Sequence, residues 1–348
     1  MLEKLQRAQR RIRVPRIRSS RLGVTGLASI AALLVIFGLG ALLDLRGDPD
    51  SVREFGEYVR AAGQRPAVAV ANAARSHRFV FLADIHGAAG TKRLAATAIA
   101  AMAAGPGLDA LVVAVGRDQQ PVIDRYIDSA PEDAGLLVSN PRAIGVPAGA
   151  GRGLLDVYHQ VWQINQKLGP DQRIQILAAD LEGWPPDPST SPAEKARRFA
   201  ERADSMVHNL ERELLVMTPR ARVLVFMSGL HALKTGYGEL QTGGTNIVHA
   251  NWFATRLAQR YPGEVYSFLV DAPGKGSSDE LVPYTGTRIP ETARNVLPSG
   301  PWAVAINEIF GPFSRAIEEN SIPGLSFQIS PRQYRLHDVA DGYIYLGR

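Results

Sequence analysis

The chain of 348 residues has no cysteine. Disulfide frameworks, thiolate metal sites and cysteine nucleophiles are therefore excluded. The lack of thiols does not fix the compartment, but it suits one where stray thiols would be oxidised. The sequence also lacks HExxH, a Walker-type phosphate loop and a GxSxG elbow. A zincin protease, a nucleotide hydrolase and an α/β-hydrolase are thus left without their signatures. Internal repeats are absent as well, and with 45% hydrophobic and 21% charged residues the composition is globular rather than disordered or fibrous.

Basic charge is missing from most of the chain, although the formal net charge is +5. Residues 1–22 hold Lys4, Arg7, Arg10, Arg11, Arg13, Arg16, Arg18 and Arg21 against Glu3, a local charge of +7 that leaves −2 for everything after them. The basic character belongs to a tail, so no basic surface remains on the body to support a nucleic-acid partner.

Directly after the tail comes an uncharged stretch of 21 residues, Gly23–Leu43. A helix of that length crosses a hydrocarbon core of about 30 Å. Its flanks set the orientation, with eight cations before it and only Arg46, offset by Asp44 and Asp48, after it. The expectation is a basic cytoplasmic tail (1–22), a transmembrane anchor (23–43), a stalk or helical linker (44–76) and an α/β domain (77–348). The protein would then sit in the inner (cytoplasmic) membrane as a single-pass protein with its C-terminal domain extracytoplasmic, in the periplasm. A cleaved signal peptide is the alternative, but the apolar stretch is long for one and no good small-x-small site comes after it.

Beyond Asp48–Ala62, which has the pattern of an amphipathic helix or stalk, two patterns alternate. Short apolar runs predict buried strands at Phe79–Leu82, Leu111–Val115, Ile174–Ala178, Val223–Met227 and Val265–Val270, with a closing strand at Tyr343–Leu346. Helical spacing marks Lys92–Ala104, Pro121–Ser129, Leu154–Leu168, Pro192–Met217 and Asn251–Tyr261. The helix from Pro192 carries a capping box, Ser191 with Glu194. This alternation predicts an α/β fold, a mostly parallel central sheet flanked by helices. Gly- and Pro-rich stretches at 142–153, 183–192, 272–278 and 298–301 read as loops, and residues 272–332 carry no clear pattern.

In open parallel sheets, ligands bind beyond the carboxyl ends of the strands. The predicted strands lead into Asp84-Ile85-His86-Gly87, Gly116-Arg117-Asp118, Asp180-Leu181-Glu182 and Ser228-Gly229-Leu230-His231. Asp84 and His86 are two apart, so on a strand they share a face. A carboxylate there can orient an imidazole and raise its basicity. Two histidines with a carboxylate also suit a divalent metal, which makes His86, His231 and Asp84 the candidate ligands. Polar strand ends are ordinary in α/β proteins, so spacing alone does not decide for a shared site. His77, His159, His208, His249 and His337 read as surface or helix positions.

At this point the segments FVFLADIHG (79–87), DALVVAVGRDQQPVIDRYI (109–127), IQILAADLEGW (174–184), RADSMVHN (202–209), VLVFMSGLHALK (223–234) and VADGYIYLG (339–347) resemble, in order, the motifs of the erythromycin esterase, ChaN and Tiki/TraB superfamily. The resemblance covers about residues 77–348. It implies a strand-end pocket in which His86 and His231 take the two histidine positions, Asp84 the glutamate position and Asp180 the aspartate position. Arg202, Met206 and Asn209 share one helical face, where Arg202 and Asn209 support the sheet. Family chemistries differ, from ester hydrolysis by a histidine base, through metal-dependent proteolysis, to haem binding. The implied functions are a hydrolase with His86, Asp84 and His231 as catalytic residues, a non-catalytic receptor for haem or another hydrophobic ligand, or a membrane-tethered interaction protein. A small-molecule or peptide ligand is the implied partner, and manganese, cobalt, iron or zinc the implied metal.

Departures from the family pattern bear on the choice. Ala83 and Asp84 replace its glycine and glutamate, and Ala203 stands where the helical motif has an acid. The second family glutamate falls on Val113–Val115, with Asp118 the nearest acid. Hard divalent ions need anionic oxygen ligands, so this loss weakens the metal reading.

Overall fold

The computed structural model describes residues 49–85, 88–145, 154–241, 247–272, 295–313, 316–317, 320–321, 328–329, 332–333 and 336–347. The basic tail, Gly23–Leu43, His86, Gly243-Gly244 and Gly274-Lys275-Gly276 lie outside these residues. Among the described residues no helix is long and apolar enough to cross a membrane.

A seven-stranded sheet organises the chain. Its strands are β1 Phe79–Asp84, β2 Ala110–Gly116, β3 Gln175–Asp180, β4 Val223–Ser228, β7 Val265–Asp271, β8 Trp302–Ala305 and β9 Gly342–Tyr345, in the spatial order β3-β2-β4-β1-β7-β9-β8. All neighbours are parallel except β8, which runs antiparallel to β9. Phe79, Val80, Phe81 and Leu82 are all fully buried. Burial of consecutive residues means that both sheet faces are covered, which is why these strands read as unbroken apolar runs rather than alternating ones. β5 Tyr237–Gln241 and β6 Ile247–Asn251 form a hairpin in a second, four-stranded sheet completed by Asn320–Ser321 and Gln328–Ile329.

The helices are α1 Pro49–Ala62, α2 Pro66–Ser76, α3 Ala89–Ala104, α4 Gln120–Asp128, α5 Leu155–Asn165, α6 Pro192–Leu210 and α7 Phe253–Arg260. The start of α6 is fixed as its capping box requires, with Ser191 Oγ accepting the Glu194 N–H at 3.3 Å. Phe199, Ala203, Met206 and Leu210 form its buried stripe. The expected helix to Met217 instead changes at Glu211–Leu215 into a π turn. Helix α5 stops at Asn165, whose amide accepts from the Ile174 N–H at 2.8 Å and donates to Ile174 O at 2.9 Å. That buried pair stitches the helix end to the entry of β3.

Helix α1 is not a separate stalk. Its Val52, Phe55 and Val59 are buried, and the Phe55 ring lies edge-on to Phe310 at 5.0 Å and to Trp302 at 6.3 Å. The bridge between Gln64 and Ala303 adds one rung at the outer edge of β8. The helix is amphipathic as its pattern predicts; its apolar face meets aromatics beyond residue 300, in a region where the sequence shows no clear pattern. Gly342 marks another close approach, because a Cβ there would run into the Phe268 ring of β7.

Candidate active site

Strand order places β1 at a topological switch. From β1 the chain moves to β2 and β3 on one side, returns to β4 beside β1, and then leaves for β7 on the other side. The crevice beyond such a point is where open α/β sheets hold ligands. Asp84 and Ser228 face each other in register as the last residues of β1 and β4. His86 comes two residues after Asp84, and His231 three after Ser228.

Asp84 is 5% exposed and heavily engaged. Its carboxylate accepts from Thr91 Oγ1 at 2.6 Å and from Lys92 Nζ at 2.7 and 2.9 Å. The same ammonium donates to Ile85 O at 3.1 Å. Thr91 also donates to Ala88 O at 2.8 Å. One turn of α3 thus ties both the end of β1 and the backbone that leads to His86. The first turn of a helix is itself favourable for a carboxylate.

His231 lies in a 3-10 turn, Gly229–Ala232, and is 2% exposed. Its ring meets Trp252 edge-on at 6.4 Å. The turn and the two residues after it are pinned from three sides. Ser267 Oγ of β7 donates to Ala232 O. Thr255 of α7 donates to Leu233 O at 2.8 Å. Lys234 Nζ reaches both Asp341 oxygens, at 2.7 and 2.9 Å. The imidazole is therefore set on a rigid seat, as positioned chemistry requires.

The remaining sequence candidates gather at the ends of β2 and β3. Asp180, fully buried, receives Arg202 Nη2 at 2.6 Å and Nε at 3.0 and 3.1 Å. The Arg202 guanidinium stacks on Trp184, its carbon 4.1 Å from the ring centroid. Asn209 donates to Ala179 O at 2.9 Å. Asp118 accepts the Gly183 N–H at 2.7 Å and the Gln119 amide at 2.6 Å, with Arg142 at 3.7 Å. Burial opposes its ionisation, but these donors and Arg142 outweigh it and hold the carboxyl below its ordinary value. Gly116, opposite Asp180 in register, has no room for a side chain, since a Cβ would lie 2.6 Å from Asp118 Oδ1 and 3.1 Å from Trp184 O. Asp118, Asp180, Arg202 and Asn209 thus join the loops after β2 and β3 to α6.

Lys92, Thr91 and Trp184 are not legible in the sequence as site residues. The signal that could expose the first two is the placement of a Thr-Lys pair one turn into the helix after Asp84.

The implied metal fits these residues poorly. Asp84 is bound to Lys92 and Asp180 to Arg202, so neither carboxylate is offered as an unpaired anionic ligand. Among the described residues no group of three His, Asp or Glu is disposed to hold a metal ion.

The class that the architecture defines is an α/β fold with a mostly parallel seven-stranded sheet flanked by helices. Two solved structures share it. A Bacillus cereus protein aligns over 85% of this chain and 97% of its own, with 12% identity and a TM-score of 0.55. A succinoglycan biosynthesis protein aligns over 85% and 96%, with 10% identity and a TM-score of 0.54. An erythromycin esterase variant in an open conformation aligns over 82% and 96%, with 9% identity and a TM-score of 0.48. No protein-family model and no curated protein sequence matches the chain.

Proposed function

We propose that this protein is a membrane-anchored, extracytoplasmic hydrolase of the erythromycin-esterase and ChaN-like type, working by histidine activation of water. The observation that carries this reading is the pairing of β1 and β4. Two in-register central strands at a topological switch each lead into a histidine, His86 and His231. The anchor is Gly23–Leu43, oriented by the basic tail.

In this reading His86 is the general base. It takes a proton from water as the water oxygen attacks an acyl carbon, and returns that proton to the departing alcohol or amine as the acyl bond breaks. His231 stabilises the charge on the acyl oxygen from its fixed turn. Asp84 acts through the loop it anchors, with its charge offset by Lys92. No step is assigned to a metal, because the two strand-end carboxylates are already committed to cations.

The engagement of Asp84 and Asp180 supports a second reading, a non-catalytic receptor for a small molecule or peptide. One experiment separates the two. The full chain in detergent is assayed against a panel of esters, lactones and peptides, with and without chelator. The hydrolase reading expects a chelator-insensitive activity that falls at least about 100-fold in His86→Ala and in His231→Ala, with circular dichroism unchanged. Activity that survives both substitutions refutes it, activity abolished by chelator replaces it with the metal-dependent alternative, and no hydrolysis across the panel leaves the receptor.

A further inference from the structure

We propose that the outer edge of β3 is a guarded pairing site. The side-chain amides of Gln120 and Asn165 fill the hydrogen-bonding places of an absent next strand, and so bar β3 of a second copy of this chain from pairing there. The inference goes beyond the hydrolase reading and does not depend on it, because it uses neither histidine and neither β1 nor β4.

The edge needs a guard. β3 ends the sheet beside β2. The Gln175 N–H turns inward to Asp109 O at 2.9 Å, so by alternation the backbone groups of Ile174, Ile176 and Ala178 point outward. Exposed edges are ordinarily blunted by charge, by proline or by shortness. From Ile174 to Ala179 the sequence has no charged residue and no proline, and β3, at six residues, has ordinary length. The opposite edge is protected differently. β8 has four residues with Pro301 directly before it. Its Ala303 exchanges both backbone bonds with Gln64, at 2.8 and 2.9 Å, and the Tyr58 hydroxyl of α1 donates to Ala305 O at 2.8 Å.

The two amides on β3 reproduce strand geometry. In an antiparallel pair one residue exchanges both bonds with the residue opposite, whereas in a parallel pair it bridges a carbonyl and the N–H two residues further on. Asn165 does the first, accepting the Ile174 N–H at 2.8 Å and donating to Ile174 O at 2.9 Å. Gln120 does the second. Its Nε2 donates to Ile176 O at 2.7 Å and its Oε1 accepts the Ala178 N–H at 2.8 Å. The same Nε2 donates to Asp124 Oδ1 at 2.7 Å, one turn further along α4, and an ionised carboxylate can only accept, which fixes the orientation of the amide. Four outward groups are therefore satisfied without a strand. Gln120 is half-buried, so the rung it fills lies close to solvent. The occupant it excludes is a second β3, since an edge paired with its own copy across a two-fold axis needs no other complementary surface.

The test compares the full chain in detergent with Gln120→Met and with Asn165→Leu, each close in size to the native side chain but without its amide. Light scattering after size exclusion reads mass across a range of concentrations, and hydrogen–deuterium exchange reads the β3 amides. In Gln120→Met the Ala178 N–H loses its acceptor and should exchange about 10-fold faster, the upper end for one lost hydrogen bond. Its mass should rise above that of wild type as concentration increases. Adding Gln175→Lys, at an exposed position of the same strand, should return the mass to the wild-type value, because a charge on an edge strand opposes pairing. Wild-type mass at every concentration, in a Gln120→Met protein whose circular dichroism matches wild type, overturns the proposal even if Asn165→Leu fails to fold. So does association that Gln175→Lys leaves untouched, or exchange at Ala178 that Gln120→Met does not change.

Discussion

Lys92→Met is the perturbation that most directly probes the strand-end site. The Lys92 and Asp84 side chains are only 15% and 7% exposed, so the pair is largely out of water. Removing the ammonium leaves a buried carboxylate that keeps its bond from Thr91 Oγ1 but loses its cation. Breaking a buried pair from one side costs about 3–5 kcal/mol. The retained Thr91 bond places the expectation near the lower end, about 3 kcal/mol. Asp84→Asn with Lys92→Met removes both charges and keeps an acceptor for Thr91. The double variant should therefore lie within about 1–2 kcal/mol of wild type, since replacing both partners is far cheaper than orphaning one. The assay is urea unfolding followed by tryptophan fluorescence, with the four proteins forming a double-mutant cycle. A Lys92→Met loss under about 1 kcal/mol, or a double variant as damaged as the single, would refute the account of Asp84 as a charge held in place by Lys92.

The β2–β3 group carries two further expectations. Arg202→Met should destabilise by about 3–5 kcal/mol by stranding the fully buried Asp180, while Asp180→Asn with Arg202→Met should recover most of that loss; denaturant midpoints read both. Asp118 has a folded-state pKa lowered from 3.8, so its contribution is present above about pH 4 and is lost as the pH falls through the folded value. Asp118→Asn should accordingly flatten the acid limb of stability below about pH 4, measured as unfolding midpoint against pH, and leave the slope near pH 7 untouched.

Much of the sheet can be read from the sequence because parallel strands buried on both faces are short unbroken apolar runs, as Phe79–Leu82 and Val223–Met227 are. Strands β5 and β6 cannot, since Tyr237–Gln241 and Ile247–Asn251 mix polar residues with glycine or alanine in a hairpin outside the main sheet. The four-residue β8 escapes because its Trp302 and Val304 are buried by α1 and β9, partners remote in sequence. The strand-end candidates Asp84, Asp118, Asp180 and His231 are locatable, because the polar residue that ends an apolar run is visible in one dimension. Their partners are not. The pairing of Asp84 with Lys92 depends on the first turn of α3 folding back over β1, and that of Asp180 with Arg202 on α6 crossing the end of β3. Spacing offers the acids as ligands; the fold gives each a cation.

The sheet is threaded out of order at one edge. The chain runs β7, β8, β9, but in space β9 lies between β7 and β8. Until Gly342–Tyr345 has emerged, β7 presents an open hydrogen-bonding edge and β8 has only the Gln64 bridge beside it. A chain leaving the ribosome, or crossing a membrane as an extended thread, must keep this slot vacant and its apolar walls uncovered to the last. That interval is when such an edge is most exposed to pairing with another copy. A chain cut short before Gly342 would never leave that state, so quality control would see it as an unfinished sheet rather than a shortened protein.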